Sequence, residues 1–275
     1  MMSNSNLSII GCANGTLVLG PTITLRPTLP EDEITFQTGI PYEVYNPSEP
    51  TPKHLEVLEF LKRIYPDLYE YILTLYSSSL EGINREHGFY IKIGAGSNGK
   101  SAIDHLNNIT FGDYATALTS PILSEESSEE WIKLRGKRYI YTGEPEIGET
   151  ITFSNMKQLC GLVPSESIHM TGKIFMSCNT LPQIDGFDEL IWKHIHVIPH
   201  TSQFVAPGHA SIDPAHHIYE GDVSLLEKMK DWRVAYFGIL VWYFQNHYLV
   251  HGLTAPACVV EATQRYKDAH SSTVA

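Results

Sequence analysis

The stretch Gly94-Ala95-Gly96-Ser97-Asn98-Gly99-Lys100-Ser101 constrains this chain more than any other. It is a complete G-x-x-x-x-G-K-S. Before it stands the apolar run Phe89 to Ile93, and after it a helix-compatible segment from Ala102 to Ile109. Glycines let such a loop wrap a phosphate with backbone N–H groups, and a helix N-terminus favours negative charge. In that role Gly94, Gly96, Ser97, Asn98 and Gly99 form the cradle, Lys100 reaches the β- and γ-phosphates, and Ser101 ligates Mg²⁺. The implied ligands are ATP and Mg²⁺. The plainer reading, a glycine-rich turn with a surface lysine, weighs less because the strand-before, helix-after context is present.

Around this loop the pattern is that of an α/β protein. Apolar strand candidates at Phe89–Ile93, Tyr139–Thr142, Ile174–Cys178 and Ile195–Ile198 are separated by helical or loop segments, which predicts a parallel sheet. The expected fold is a P-loop NTPase (AAA+-like) core, preceded by a small β/helical module and followed by helices. The boundaries drawn are 1–85 for the first module, 86–205 for the core and 206–275 for the C-terminal loop and helices.

In the first module, short apolar runs and the turn dipeptide Asn14-Gly15 predict a hairpin. Leu55, Leu58, Phe60, Leu61 and Ile64 then predict a helical stripe, which Pro66 ends. A second helix follows, with Leu68, Tyr69, Ile72, Leu73 and Tyr76 on its apolar face. A loop rich in Pro, Gly and His runs from Pro199 to about Gly221. Leu225–Leu249 and Cys258–Lys267 read as the final helices.

Composition narrows the function. The chain has 275 residues, 43% of them hydrophobic, with 31 acidic against 19 basic side chains and a net charge of −12. A surface that coats nucleic acid generally is excluded, because phosphate neutralisation needs excess Lys and Arg. Four cysteines with no C-x-x-C pair argue against a disulfide scaffold or a cysteine-rich zinc module. The N-terminus lacks the pattern of a secretory signal, and Tyr236–Phe244 is too short to span a bilayer. A soluble, intracellular protein with no membrane partner is expected.

Two further elements fit the loop. Glu144 and Glu146 lie in the turn that ends the strand Tyr139–Thr142, where carboxylates can hold Mg²⁺ through water and polarise an attacking water. Glu144 is the first choice for metal and catalysis. Asn179 ends the strand Ile174–Cys178, where an amide can bond the γ-phosphate or orient the lytic water. Alone, an acidic turn is a solvated turn and a strand-end Asn caps a turn. Together, and in this order, they compose an ATPase core.

In that order the chain resembles the superfamily 3 helicases of the poxvirus-type primase-helicases, found in large DNA viruses, phages and plasmids. The resemblance runs over nearly the whole chain: IIGCANGTLVL, FYIKIGAGSNGKS, YTGEPEIGE, MKQLCG, MSCNTLPQIDGFDELIWKHIHVIP, DVSLLEKMKDWRVAYFGILVWY and ATQRYKD. It implies a homo-oligomer, a hexameric ring that hydrolyses ATP between subunits and threads single-stranded or forked DNA. Lys100, Ser101, Glu144, Glu146 and Asn179 take the roles given above. A primase would be supplied by a separate chain or by the missing part of a longer protein, of which this length fits the helicase portion.

Three departures stand out. Where the family places an Arg pair after the Trp matching Trp192, this chain has Lys193 and His194, and lysine lacks the planar fork that suits a trans-acting catalytic cation. Pro164–Gly172 is short for a DNA-contacting hairpin, with His169 and Lys173 its positive candidates. The sequence starts after the point where the family's primase module would lie, so primase activity is not expected of this stretch by itself.

The remaining constellations read blandly. His194, His196, His200, His209, His216 and His217 are scattered and lack a Cys or carboxylate partner, so loop histidines outweigh a zinc site. Lys133, Arg135, Lys137 and Arg138 form a basic cluster that fits a solvated strand entry at least as well as a nucleic-acid contact. Trp232, Tyr236, Phe237, Trp242, Tyr243 and Phe244 fit a buried helix rather than a base-stacking platform. Two rival functions remain: a degenerate or partial paralogue that binds nucleotide and assembles without unwinding, and a small-molecule P-loop kinase. The kinase needs an Arg-rich lid, and residues 102–136 hold only Arg135.

Overall fold

The computed structural model describes residues 6–119, 123, 128–143, 150–163, 170–186 and 188–274. In chain order its elements begin with β1 (Ile9–Cys12), β2 (Gly15–Val18), β3 (Thr24–Arg26), α1 (Pro52–Ile64), α2 (Tyr69–Ser78), β4 (Phe89–Ile93), α3 (Lys100–Phe111) and β5 (Ala115–Leu118). They continue with α4 (Ser128–Lys133), β6 (Tyr139–Thr142), β7 (Thr150–Ile151), α5 (Phe153–Leu159), β8 (Lys173–Cys178), β9 (Gln183–Ile184), α6 (Glu189–Trp192) and β10 (Ile195–Pro199). The last are β11 (Gln203–Val205), β12 (Ile218–Glu220), α7 (Leu225–Tyr243), a π-helical turn (Phe244–Tyr248), α8 (Leu249–His251) and α9 (Ala257–Val274). Two compact units interleave along the chain. A helical unit comprises Met1–Glu81, Gly96–Tyr114 and His200–Thr254, and a sheet unit comprises Gly82–Ala95, Ala115–Pro199 and Ala255–Ala275. The sequence boundaries after residues 85 and 205 divide the chain by order; these units divide it by spatial contact.

The sheet unit is built on five strands in the order β10-β4-β8-β6-β5, parallel throughout. Strands buried on both faces read as continuous apolar runs, which is why Phe89–Ile93 and Lys173–Cys178 are legible. One face carries an aromatic ladder. Tyr139 stacks on Phe175 at 4.7 Å, Phe175 on Tyr90 at 5.3 Å, and Tyr90 on His196 at 5.1 Å, so one row of rings crosses four strands. Such cross-strand aromatic pairs each add roughly 0.2–1 kcal/mol. The apolar core gathers Phe89, Ile91, Ile140, Ile174, Met176 and Val197 with Leu134, Met156, Leu159 and Tyr266.

The helical unit is organised around α7, against which α1, α2 and α3 pack. Of the six aromatics expected in the core, Trp232, Tyr236, Phe237, Tyr243 and Phe244 are buried, while Trp242 is half-buried. Their polar atoms are bonded, Trp232 Nε1 to Glu56 at 2.7 Å and the Tyr236 hydroxyl to Asn107 Oδ1 at 2.8 Å. Helix α1 starts where Thr51 caps it and Pro52 supplies a preset φ. Its buried stripe is His54, Val57, Phe60, Leu61 and Ile64, rotated from the expected one. Leu55 is 53% exposed, because the run 57, 60, 61, 64 holds the i, i+3, i+4, i+7 spacing and leaves position 55 on the outer face.

The N-terminal hairpin also differs in detail. Cys12 pairs with Gly15, so Ala13 and Asn14 make the turn and Gly15 begins β2. A side chain at Gly15 would lie 2.4 Å from the Arg26 carbonyl oxygen, and its φ is +139°, so the approach of β3 and the backbone leaving the turn both call for glycine. Asn14 instead brackets the Tyr42 backbone with both ends of its amide, each bond 3.0 Å. The Pro, Gly and His segment after Pro199 holds a short parallel pair, β11 with β12, that carried no strand signal. Helix α9 extends past both ends of the expected Cys258–Lys267.

Candidate functional site

The glycine-rich loop leaves β4 at Gly94 in the sheet unit and enters α3 at Lys100 in the helical unit. Within the helical unit its backbone is sharply shaped: Ser97 has φ +59° and Gly99 φ +85°, both left-handed. A Cβ at Gly99 would meet Ile64 Cγ1 of α1 at 2.8 Å, so only glycine fits. At Gly96 an added Cβ meets nothing within 4 Å. Helix α3 therefore starts immediately behind the loop, with its first-turn N–H groups and positive dipole end at Lys100 and Ser101.

One backbone group and one side chain from outside the motif hold the loop. The Phe204 N–H donates to the Ser97 carbonyl at 2.7 Å, and His200 Nδ1 lies 3.3 Å from the Asn98 carbonyl. A carbonyl only accepts, so Nδ1 of His200 carries the hydrogen. The His200 ring in turn packs edge-on against Tyr65 at 4.6 Å. Inside the loop, Lys100 Nζ donates to Asn98 Oδ1 at 3.1 Å, and both residues are buried. Ser101 is exposed in the first turn of α3. Sequence reasoning named the loop, gave Ile64 only a place on a helical stripe, did not name Phe204, and saw His200 only as one of several scattered histidines.

Within the sheet unit, β4 and β8 are neighbours in register, with Ile93 opposite Cys178. Gly94 and Asn179 therefore leave adjacent strands at the same carboxyl edge, the edge at which parallel α/β sheets bind ligands. Asn179 is exposed there. On the far side of β8, Thr142 pairs with Met176, so β6 also ends at this edge with Gly143 next in the chain. Glu144 and Glu146, which follow, lie outside the described residues, as does His169. Lys193 is exposed just past α6, its N–H on the Leu190 carbonyl at 3.3 Å. His194 Nδ1 donates to the Glu86 carbonyl at 3.2 Å.

Lys173 requires a correction. As a positive candidate for DNA contact it would have to reach solvent, yet its side chain is 1% exposed. Its ammonium is sealed in an ion pair with Glu86 and a hydrogen bond to Asn84 Oδ1. Of the basic cluster, Arg138 is buried, while Lys133 and Arg135 are exposed. The histidines take separate roles. His196 is in the aromatic ladder, and burial, reinforced by neighbouring His194, holds its pKa down at about 4. His216 is bonded to Asp213 at 2.6 Å. Among the described residues no three His, Cys, Asp or Glu side chains converge as a metal group would require, and no helix is long and apolar enough to cross a membrane.

No family model matches the chain. Curated relatives do. It is 32% identical to a protein provisionally named helicase L207/L206 of Acanthamoeba polyphaga mimivirus, over 96% of this chain and 29% of that protein. It is 30% identical to the provisionally named helicase 184R of Invertebrate iridescent virus 6, over 83% of this chain and 24% of the relative. A third relative, provisionally named primase C962R of African swine fever virus, is 27% identical over 70% of this chain and 22% of its own length. The chain thus spans less than a third of the length of these relatives. Among solved structures, the C-terminal region of NrS-1 superposes with a TM-score of 0.53 at 11% identity, over 93% of this chain and 71% of that one. That likeness is one of fold. The chain has a mixed α/β fold with a P-loop NTPase-type parallel core, and its sequence is similar to segments of large-DNA-virus proteins named as helicases and primases.

Proposed function

We propose that this chain is the ATP-hydrolysing module of a superfamily 3 replication helicase of a DNA virus or mobile element. The carrying observation is one of topology: a G-x-x-x-x-G-K-S loop leaves a central parallel strand, and Asn179 leaves the neighbouring strand at the same edge. Similarity to viral proteins with helicase and primase names supports the same reading.

The residues suit a nucleoside triphosphate. The N-terminus of α3 faces its phosphates with N–H groups, Lys100 neutralises their charge, and Asn179 orients the lytic water or the γ-phosphate. Mg²⁺, when bound, spreads phosphate charge; Ser101 would hold it with Glu144, and Glu146 is the second carboxylate candidate. Lys193 is the cation offered to a neighbouring subunit's nucleotide. The assembly proposed is a homo-oligomeric, hexameric ring acting on single-stranded or forked DNA, with primase activity on other polypeptide.

An ATPase assay with and without single-stranded DNA, run beside a mass measurement of the assembly, tests this reading. DNA-stimulated turnover by an oligomer is the expected result. Lys100→Ala abolishes ATP binding; unchanged affinity in that variant refutes the assignment of the loop. A second reading is favoured by Lys193 and by the internal pairing of Lys173: a paralogue that binds nucleotide and assembles without unwinding. ATP turnover that DNA leaves unchanged identifies that case.

A further inference from the structure

The phosphate loop holds one buried polar group that a backbone cradle does not use. Asn98 is 4% exposed. An ammonium is a donor only, so the Asn98 atom facing Lys100 Nζ at 3.1 Å is the oxygen, Oδ1. That fixes the amide: Nδ2 and its two hydrogens face away from the lysine. Nδ2 is buried and has no hydrogen-bond partner. Buried donors left unmet are rare and call for an explanation. The loop is also held against relaxing around this atom, because the Ser97 and Asn98 carbonyls are tied to the Phe204 N–H and His200 Nδ1.

We propose that Asn98 works through both ends of its amide. Oδ1 holds the Lys100 ammonium in place, and Nδ2 donates to a phosphate oxygen of the bound nucleoside triphosphate. His200, far along the chain, is the positioning residue that keeps Asn98 aimed. This rests on the nucleotide-binding reading of the loop and adds to it a side-chain phosphate donor.

Calorimetric titration of the full chain with ATP and Mg²⁺ separates the possibilities, using Asn98→Ala and Asn98→Asp. The Asp variant keeps the shape and the acceptor for Lys100, but puts a negative acceptor where Nδ2 stood. Loss of the donor weakens ATP binding about tenfold in Asn98→Ala, as for one hydrogen bond to a charged group. Asn98→Asp must be weaker still, by a further tenfold or more, and inorganic triphosphate must show the same ranking. Equal or tighter binding by Asn98→Asp than by Asn98→Ala overturns the proposal while leaving the loop assignment intact. If the wild-type chain binds no ATP, the loop assignment falls and takes the proposal with it.

Should thermal unfolding show that either variant does not fold, wild-type protein labelled with ¹⁵N-asparagine decides. The Asn98 side-chain NH₂ signals shift with inorganic triphosphate and not with adenosine; unmoved signals overturn the contact. For His200 the readout is rescue. His200→Ala weakens ATP binding about tenfold, and His200→Asn, which again offers an N–H near the Nδ1 position, restores it. Failure of the Asn variant to restore affinity removes the positioning role.

Discussion

The five-stranded sheet carries polar residues at both ends, and the two ends use them differently. At the amino end they are tied to one another: Lys173 is sealed against Glu86 and Asn84, His194 donates to the Glu86 carbonyl, and His87 Nδ1 donates to the Cys160 carbonyl at 2.8 Å. At the carboxyl end Asn179 and Thr180 face solvent where β8 stops, one strand from the start of the glycine-rich loop. Polar residues at the amino end thus serve the architecture, and those at the carboxyl end are the ones the proposed function draws on. Lysine makes the point sharply, since Lys173 is named as readily as any other cation by a reading of charge along the chain.

The comparison breaks if amino-end changes disturb nucleotide handling or carboxyl-end changes disturb stability. The largest expected effect is that of Glu86→Ala, which strands the buried Lys173 ammonium. It destabilises the chain by about 3 kcal/mol, toward the low end for a broken buried pair because Glu86 retains 20% exposure. Chemical denaturation measures this, and ATP affinity stays unchanged. Next is Asn179→Ala, which lowers ATP turnover about 100-fold, as expected for loss of a positioned polar group at the reacting phosphate. Its unfolding midpoint moves less than that of Glu86→Ala, since Asn179 is exposed.

A smaller effect belongs to His196 and pH. Its folded pKa is held at about 4, below the ordinary 6.5, chiefly by burial. Between those values the unfolded chain takes up a proton that the folded chain refuses, so stability falls as pH drops through that window. The loss amounts to about 2 kcal/mol at most after allowing for partial exposure. His196→Phe, which keeps a ring in the ladder, flattens that slope in thermal unfolding scans. The smallest effect is that of Lys193→Arg, which raises turnover about threefold if the planar fork matters in trans, with no change in stability. A large loss would place Lys193 in the architecture instead.

Much of this was legible because the informative residues are local. Phe89–Ile93, Tyr139–Thr142 and Ile174–Cys178 are short apolar runs bounded by turns, and the glycine-rich loop is contiguous. Strand β5, Ala-Thr-Ala-Leu, was not named: it is an edge strand of small residues whose place is set by pairing with β6. Strands β11 and β12 have three residues each, and only their mutual pairing makes them strands. The same limit applies to the site. Nothing near His200 announces that its ring will hold the Asn98 carbonyl, and nothing near Lys173 announces Glu86. Both pairings join distant stretches of chain, and a pattern read along the chain contains no such term. The rotation of the α1 stripe has a different cause, for Leu55 is apolar and still lies on the outer face.

The contact between Gly99 and Ile64 bears on how motifs persist through descent. A lineage that ceased to use nucleotide would still be unable to replace Gly99, because α1 occupies the space a side chain would need. Gly96, with open space around it, would be released to drift. Glycine at position 99 is thus demanded by the packing of the fold, whereas packing gives no reason for glycine at position 96. Between diverging copies of this gene, position 96 is the one to watch.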